Sequence, residues 1–126
     1  MGDIHEQSIA EVGECLRRGD IGVVELTRIM LDRIAAKDGE LNSFITVTDE
    51  LALAQAARAE QELRTGPDRG PLHGIPIALK DLIETKDIRT TFASRAYADH
   101  IPGEDATVVK RLAEAGAVLL GKTNLS

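Results

Sequence analysis

The chain has 126 residues, of which 43% are apolar and 29% charged, and its net charge is −6 at pH 7. This length suits one domain with an aliphatic core, and the acidic balance argues against a nucleic-acid-binding surface. Cys15 is the only cysteine, so an intrachain disulfide is excluded. Since no apolar run reaches membrane-spanning length and the N-terminus lacks a signal-peptide pattern, we expect a cytoplasmic protein without a membrane segment.

The first half of the sequence predicts three helices. Ser8 and Glu11 have the spacing of a capping box, and Gly19 can end the first helix in a left-handed conformation. Asp38-Gly39 is expected to end the second helix, and Thr48 to cap an alanine-rich third one. The helices are expected at about residues 8–19, 23–37 and 48–63, with an extended segment over residues 41–47.

In the second half, after a turn-rich loop over residues 65–71, strands and helices alternate. Residues 75–79 and 117–120 are short apolar runs typical of strands buried on both faces, and residues 88–91 indicate a further short strand. Thr107 can cap a helix that Gly116 ends, and this strand–helix–strand unit implies a parallel crossover. We therefore predict an α/β fold, with N-terminal helices followed by the first strands of a mixed, helix-covered sheet.

The sequence stops at Ser126, directly after a buried strand and without a closing helix. Two or three strands make a small sheet whose edges need cover. We therefore expect the opening part of a longer protein; the alternative is a small domain completed by a partner chain. Residues 1–66 would form a helical arm, and residues 67–126 the start of the α/β core of one domain.

An apolar strand runs directly into Lys80 within the segment of residues 70–81. A lysine at the end of a buried strand is half-desolvated, and desolvation favours the neutral amine, which can accept a proton. Lys80 is therefore a candidate general base. The alternatives are a lysine whose charged end reaches solvent, or one that forms a salt bridge with Asp81 or Glu84.

Residues 116–123, Gly-Ala-Val-Leu-Leu-Gly-Lys-Thr, match the G-x-x-x-x-G-K-T pattern of phosphate-binding loops. That chemistry requires a strand, an exposed loop and then a helix. Here a predicted helix comes first and the four intervening residues form an apolar strand. Exposing a large apolar side chain would lose about 1.5–3 kcal/mol, so nucleotide binding is only a remote alternative.

Three polar residues near Lys80 have both a functional and a structural interpretation. Asp81 would either orient Lys80 or cap the turn after the strand, and the sequence favours neither. Thr90 and Thr91 would either lie near the wall of a site or pack within a strand, and packing is the commoner role of such residues.

The three histidines do not suggest a metal site. His73 would either line a site or lie in a solvated loop, and we favour the solvated loop. His5 and His100 are distant from it in sequence and have no neighbouring ligand residues, so no metal and no cofactor are predicted.

An ordered series of segments resembles the amidase signature family, whose members are serine hydrolases that act on amide bonds. Weaker similarity extends back through residues 25–27, 33–34 and 41–44, so the resemblance covers nearly the whole chain from about Ser8. The ordered series is more specific than any one segment. The matching segments are Gly-Pro-Leu-His-Gly-Ile-Pro-Ile-Ala-Leu-Lys-Asp-Leu-Ile at residues 70–83, Arg-Thr-Thr-Phe-Ala-Ser at 89–94, Asp-Ala-Thr-Val-Val at 105–109 and Ala-Gly-Ala-Val-Leu-Leu-Gly-Lys-Thr-Asn at 115–124.

The resemblance implies a catalytic role for Lys80. The family's catalytic unit is a serine, a second serine in a cis peptide bond, and a lysine that matches Lys80. By this likeness Lys80 exchanges a proton with the bridging serine, which activates the nucleophilic serine, and backbone amides stabilise the oxyanion. Lys122 resembles a family position that we interpret as structural.

Both family serines are missing from this sequence, since they lie in a glycine- and serine-rich segment beyond Gly-Lys-Thr-Asn. Ser94 and Ser126 belong to other matching segments, and we interpret Ser94 as a turn or backbone-capping serine. The chain therefore carries the base without the nucleophile, and we expect it to hydrolyse no amide by itself.

Three functions remain as hypotheses. The first is a truncated amidase that releases ammonia or an amine from a small carboxamide. The second is the A subunit of an aminoacyl-tRNA amidotransferase, which would hydrolyse glutamine and send ammonia to a partner protein; Ala54-Gln55-Ala56 and the Thr-Thr-x-Ala-Ser stretch favour it somewhat. The third is a non-catalytic interaction module or a nucleotide binder.

Overall fold

The computed structural model describes residues 3–125 and confirms the predicted α/β class. None of the helices in this range is long and apolar enough to cross a membrane. Short 3-10 turns lie at Ile4–Glu6 and Arg95–Tyr97. The main elements are α1 (Ile9–Arg18), α2 (Val23–Leu41), β1 (Phe44–Val47), α3 (Asp49–Thr65), β2 (Pro76–Lys80), α4 (Thr107–Glu114) and β3 (Val118–Thr123).

Strand β3 lies at the centre of a sheet with the order β1-β3-β2. It runs parallel to β2, as the predicted crossover through a helix requires, and antiparallel to β1. Because β1 comes from the mostly helical first half of the chain, both halves share one sheet. At the end of β3, Thr123 is opposite Phe44 on one side and Lys80 on the other.

The predicted strand at residues 88–91 is wrong. Within residues 3–125 this segment forms no strand, and its backbone amides bond to loop carbonyls instead. Thr90 N–H donates to the carbonyl of His100 at 2.9 Å, and Phe92 N–H donates to the carbonyl of Asp81 at 3.0 Å. β-branched residues favour a strand locally, but tertiary contacts override that preference here.

Helix α1 has the ends that the sequence predicts. Ser8 Oγ accepts from the N–H of Glu11 at 3.1 Å, and the Glu11 carboxylate accepts from the N–H of Ser8 at 3.0 Å, which completes the capping box. Gly19 ends the helix with a φ of 77°. Cys15 on this helix is buried and belongs to the apolar core.

Helix α2 continues through Asp38-Gly39, which was predicted to end it, and reaches Leu41. It ends instead at Asn42, with a φ of 51°, because asparagine also tolerates the left-handed region. The Asp38 carboxylate accepts from the backbone N–H of Ser43 at 2.6 Å. The aspartate therefore stabilises the turn into β1 from within the last turn of the helix.

Two predicted threonine caps are also wrong. Helix α3 does begin after Thr48, but the Thr48 hydroxyl donates to the carbonyl of Leu119 at 2.8 Å and caps no helix amide. Its backbone N–H donates to the carbonyl of Leu120, so Thr48 ties the start of α3 to β3. Helix α4 begins at Thr107 itself, and Ala106 occupies the position before it.

The core consists of two apolar clusters on either side of β3. In the larger one, side chains from α1, α2 and α3 pack against Val118 and Leu120, and in the smaller one Leu79 and Val109 pack with Leu119. Successive residues of a strand point to opposite faces. Strand β3 is therefore covered on both faces, as its continuous apolar run predicts.

His73 is fully buried, so its predicted place in a solvated loop is wrong. The N–H of Arg69 donates to Nδ1 at 3.0 Å, and Nε2 lies 3.0 Å from Oε1 of Glu62. Because Nδ1 accepts, the imidazole proton is on Nε2 and is donated to Glu62. The ring packs against Gly116, where a Cβ atom would lie 3.0 Å from Cγ of the ring and closer still to Cδ2.

Two arginine–carboxylate pairs hold the loop before β2 to the helices. Arg69 donates to Glu62 at 2.9 Å, and Arg17 donates to Asp68 at 2.6 Å. The hydrogen bond from Arg69 is the main reason that the pKa of Glu62 is lowered to about 2, and that from Arg17 lowers the pKa of Asp68 to about 2. These two ion pairs thus attach the loop to α1 and to α3.

We predict that Gly116→Ala destabilises the protein more than Gly19→Ala, its matched control. Both glycines have positive φ, 80° and 77°, so either alanine is disfavoured by about 1–2 kcal/mol. Only the new Cβ at residue 116 meets the His73 ring, which adds about 1–3 kcal/mol of overpacking. Urea unfolding of both variants measures the difference, and equal losses would contradict the close contact.

We also predict that Glu62→Gln makes stability less sensitive to acid. The native pKa of Glu62 is about 2, below its ordinary 4.5, so its stabilising effect is present above pH 4.5 and disappears as the pH falls towards 2. The free-energy difference between wild type and variant should therefore shrink across that interval in urea unfolding. Glu50→Gln, an exposed change on the same helix, is the control; a difference that stays constant with pH for Glu62→Gln would contradict the prediction.

Candidate functional site

Lys80 is the last residue of β2, at the carboxyl ends of the parallel strands β2 and β3. Its side chain is exposed, so the predicted half-buried amine is wrong for this part of the protein. β2 is an edge strand, and no element within residues 3–125 covers its outer side at Lys80. The predicted salt-bridge partners are engaged elsewhere: the Asp81 carboxylate faces Lys122, and Glu84 lies 3.6 Å from His100.

The side chain of Asp81 points inward and is fully buried. Its Oδ2 accepts from the backbone N–H of Thr91 at 3.0 Å and from the Thr91 hydroxyl. Its Oδ1 accepts no hydrogen bond from the described residues, and the ammonium of Lys122 lies 3.9 Å away. Asp81 therefore holds the loop after β2 and gives no direct support to the Lys80 side chain.

Lys122 is also fully buried, in the central strand. Its Nζ donates to the carbonyl of Ile83 at 2.7 Å and to the hydroxyl of Thr90 at 2.8 Å. Burial lowers the pKa of Lys122, and the charge of Asp81 opposes that shift. The lysine thus joins β3 to the loop that follows β2 and has a structural position.

This placement of Lys122 is incompatible with a phosphate-binding loop. Residues 118–123 form β3 and residues 107–114 form α4, so the order is helix then strand. The ammonium, which would have to reach a phosphate, is engaged with Ile83, Thr90 and Asp81. The nucleotide-binding alternative is therefore rejected on geometry.

The loop that follows Thr91 has an unusual backbone. Phe92 and Ala93 have φ values of 55° and 56°, in a region that residues other than glycine rarely adopt. This turn brings the N–H of Phe92 to the carbonyl of Asp81. Ser94 Oγ then accepts from the N–H of Ala96 at 3.3 Å, which is the backbone-capping geometry expected of this serine.

The three histidines lie in separate places in the structure. His73 is buried beside Glu62, and His100 belongs to the loop after β2. His5 was expected to have no neighbouring ligand residues, but a ligand atom of each of Asp3, His5 and Glu6 lies within 4.8 Å of the others. These groups are largely solvent-accessible on the first 3-10 turn.

Sequence reasoning missed a group of three rings beside the end of β2. The ring of Phe92 makes an edge contact with Tyr97, at a centroid distance of 5.3 Å, and stacks on His100 at 5.9 Å. The only available signal was composition, because two of the three aromatic residues in the chain lie within residues 92–97. It also missed the contact between Asp81 and Lys122, which are far apart in sequence.

The arrangement places one exposed primary amine at the strand ends, next in sequence to the buried Asp81, whose polar contacts with Thr91 and Lys122 leave only its Oδ1 without a hydrogen bond from the described residues. An amine in that position can accept a proton from a hydroxyl once water is excluded from it. Among the described serines, Ser8 and Ser94 are engaged as backbone caps, and Ser43 lies in the turn before β1. The described residues therefore supply a candidate base and, beside it, the buried polar network of Asp81, Thr90, Thr91 and Lys122.

A family model and individual relatives both match this chain, and both point to amidases or amidotransferase A subunits. The family model described as Amidase matches residues 25–126. The A subunit of the glutamyl-tRNA(Gln) amidotransferase of Natranaerobius thermophilus is 43% identical over 122 residues, and that of Coxiella burnetii (strain Dugway 5J108-111) is 48% identical over 122 residues. Each match covers 97% of this chain and 25% of the relative.

A solved structure, the native peptide amidase from Stenotrophomonas maltophilia, superimposes with a TM-score of 0.90 at 42% identity. The match covers 96% of this chain and 25% of the peptide amidase. The chain therefore spans about a quarter of the length of the relatives that it matches.

Proposed function

Because this chain belongs to the amidase family, we propose that it is the N-terminal part of an enzyme that hydrolyses amide bonds, with Lys80 as its catalytic base. The observation that carries the proposal is the position of Lys80. It ends a strand at the carboxyl edge of a parallel pair, where sites form in open α/β sheets. It also lies within the segment that matches the family model.

In the proposed mechanism, Lys80 as a neutral amine takes a proton from a bridging serine, which in turn takes one from the nucleophilic serine. The nucleophile attacks the carbonyl carbon of the amide, and backbone amides stabilise the oxyanion. The C–N bond then breaks as the bridging serine returns a proton to the leaving nitrogen, and water hydrolyses the acyl-enzyme to the acid and the free serine. The two serines lie outside this sequence, so residues 1–126 alone should hydrolyse nothing. The residues that carry the serines would also exclude water from Lys80.

We assign residues 1–126 to one amidase domain. The first 66 residues are mostly helical and the rest begin the α/β core, yet β1 of the first part is paired with β3 of the second. The helical part is therefore integral to the sheet. We place the enzyme in the cytoplasm, and its substrate would be a small carboxamide.

A second candidate is the A subunit of a tRNA-dependent amidotransferase. Relatives that carry this name are 43–48% identical over the same residues, which supports it. In that case the amide would be that of glutamine, and the released ammonia would pass to partner subunits that modify a misacylated tRNA. The acidic charge of −6 suits a protein that leaves contact with tRNA to its partners.

We predict that Lys80→Ala in the full-length protein lowers kcat for amide hydrolysis by about a thousandfold or more, since the serines then lack a proton acceptor. In the part of the chain that the structure describes, the Lys80 side chain makes no hydrogen bond and no ion pair, so the variant should fold, and its melting temperature checks this. Lys110→Ala, an exposed lysine on α4, is the matched control and should keep wild-type activity. Normal turnover by Lys80→Ala, measured as ammonia release, would remove Lys80 from the mechanism.

We further predict that the full-length protein, purified alone, releases ammonia from simple carboxamides. A stand-alone amidase is active without a partner and is not specialised for glutamine. If the chain is one, turnover of a peptide amide should therefore equal or exceed turnover of glutamine. Glutamine turnover that appears only when partner subunits co-purify would instead assign the chain to an amidotransferase. Ammonia release from both substrates, before and after removal of co-purified proteins, distinguishes the two.

A further inference from the structure

Asp81, the residue after Lys80, is bound through its backbone as well as its side chain. Its N–H donates to the carbonyl of Thr123 at 3.0 Å, and its own carbonyl accepts from Phe92 at 3.0 Å. Its Oδ2 accepts two hydrogen bonds from Thr91. These contacts attach the end of β2 to the neighbouring strand and to the following loop at the same time.

Lys122 supports this arrangement from the central strand. Its ammonium donates to the carbonyl of Ile83 and to the hydroxyl of Thr90, and Oδ1 of Asp81 lies 3.9 Å away. Both side chains are fully buried. A buried charge is tolerated only when it is paired and hydrogen-bonded, so the two residues constrain each other's position.

Lys80 itself has no such constraint. Within residues 3–125 its Nζ makes no hydrogen bond and no ion pair, so the backbone at the end of β2 fixes only the point at which its side chain leaves the strand. A base must lie within hydrogen-bond distance of its proton donor, and a displacement of about 1 Å can cost about a hundredfold in rate. The residue that fixes this backbone therefore matters for the reaction.

We propose that Asp81 is a positioning residue for Lys80: held by Thr91 and Lys122, it fixes the end of β2 and so the Cα–Cβ bond from which the Lys80 side chain reaches its proton donor. This inference rests on the proposed role of Lys80 as the base. Asp81 acts through the backbone and touches no reacting atom. The alternative is a network that only stabilises the fold, and that alternative predicts no effect on kcat in a folded protein.

The first test compares Thr91→Val with Thr91→Ser in the full-length enzyme. Valine keeps the shape and the backbone N–H but removes the hydroxyl that donates to Asp81, whereas serine keeps that donor. We expect Thr91→Val to lower kcat about tenfold with KM changed less than about twofold, and Thr91→Ser to retain most of kcat. Equal kcat values for the two folded variants would overturn the proposal.

The second test repeats the substitution in the Lys80→Ala background. A residue that acts only through Lys80 has nothing left to position, so Thr91→Val should cause no further loss of the residual activity. A full tenfold further loss would overturn the proposal, because the effect would then be independent of Lys80. Melting temperatures of all variants establish that they are folded.

Thr90→Val and Thr90→Ser test the contact of Lys122 in the same way. The Thr90 hydroxyl accepts a hydrogen bond from Lys122, which valine removes and serine keeps. These two variants take the place of the Thr91 pair if Thr91→Val does not fold. Full activity of Lys80→Ala would refute the proposed function and this inference together. Loss of activity in Lys80→Ala with identical kinetics for the valine and serine variants would refute only the positioning role.

Discussion

The ammonium of Lys122 lies inside the protein, out of contact with water, and much of the chain after β2 is arranged around it. Removing such a charge from water costs several kcal/mol, which only close hydrogen bonds and an opposite charge can offset. The carbonyl of Ile83, the hydroxyl of Thr90 and the carboxylate of Asp81 provide them. All three belong to the segment that follows β2, so this segment must fold back over the end of β3. The left-handed backbone at Phe92 and Ala93 is consistent with that requirement, because strained residues persist where the surrounding contacts determine them.

A second polar contact joins the same two strands near their beginnings. Gly74 donates to the carbonyl of Gly116 at 2.9 Å, and the buried ring of His73 fills the space beside Gly116. Strands β2 and β3 are thus joined by polar contacts before their first residues and after their last, with aliphatic packing between. Each of these contacts explains which residue is present. At residue 116 only glycine leaves room for the imidazole of His73, and at residue 122 a lysine is long enough to reach from β3 to the loop after β2. The end of β2 is consequently held from several directions.

The strand–helix–strand order was sufficient to predict the parallel pair, and hydrophobic periodicity was sufficient to predict the helices and the burial of β3, because these depend on neighbours in sequence. The capping box at Ser8 succeeded for the same reason. Two failures are local, the end of α2 and the cap of α4, and the others concern residues whose partners are distant along the chain. Thr48 bonds to β3 across 71 positions, and Lys122 reaches Thr90 across 32, so no local pattern could indicate either contact. His73 resembles a loop residue in sequence, and only the folded chain brings Glu62 beside it.

Lys80 entered the candidate site through its place at the end of an apolar strand and through family resemblance, whereas the resemblance gave Lys122 only a structural role. The two lysines lie one register position apart across the same strand pair, since Lys122 is opposite Leu79 and Lys80 is opposite Thr123. Their environments differ completely. The buried amine is engaged by three groups, so it has no freedom to exchange a proton with a substrate. The exposed amine makes no hydrogen bond or ion pair within residues 3–125, but it is open to water, which competes with any hydroxyl that would give it a proton. A catalytic Lys80 therefore requires that further residues of the domain exclude water from it, and its reactivity would arise only when the domain is assembled around an end of β2 that is already fixed.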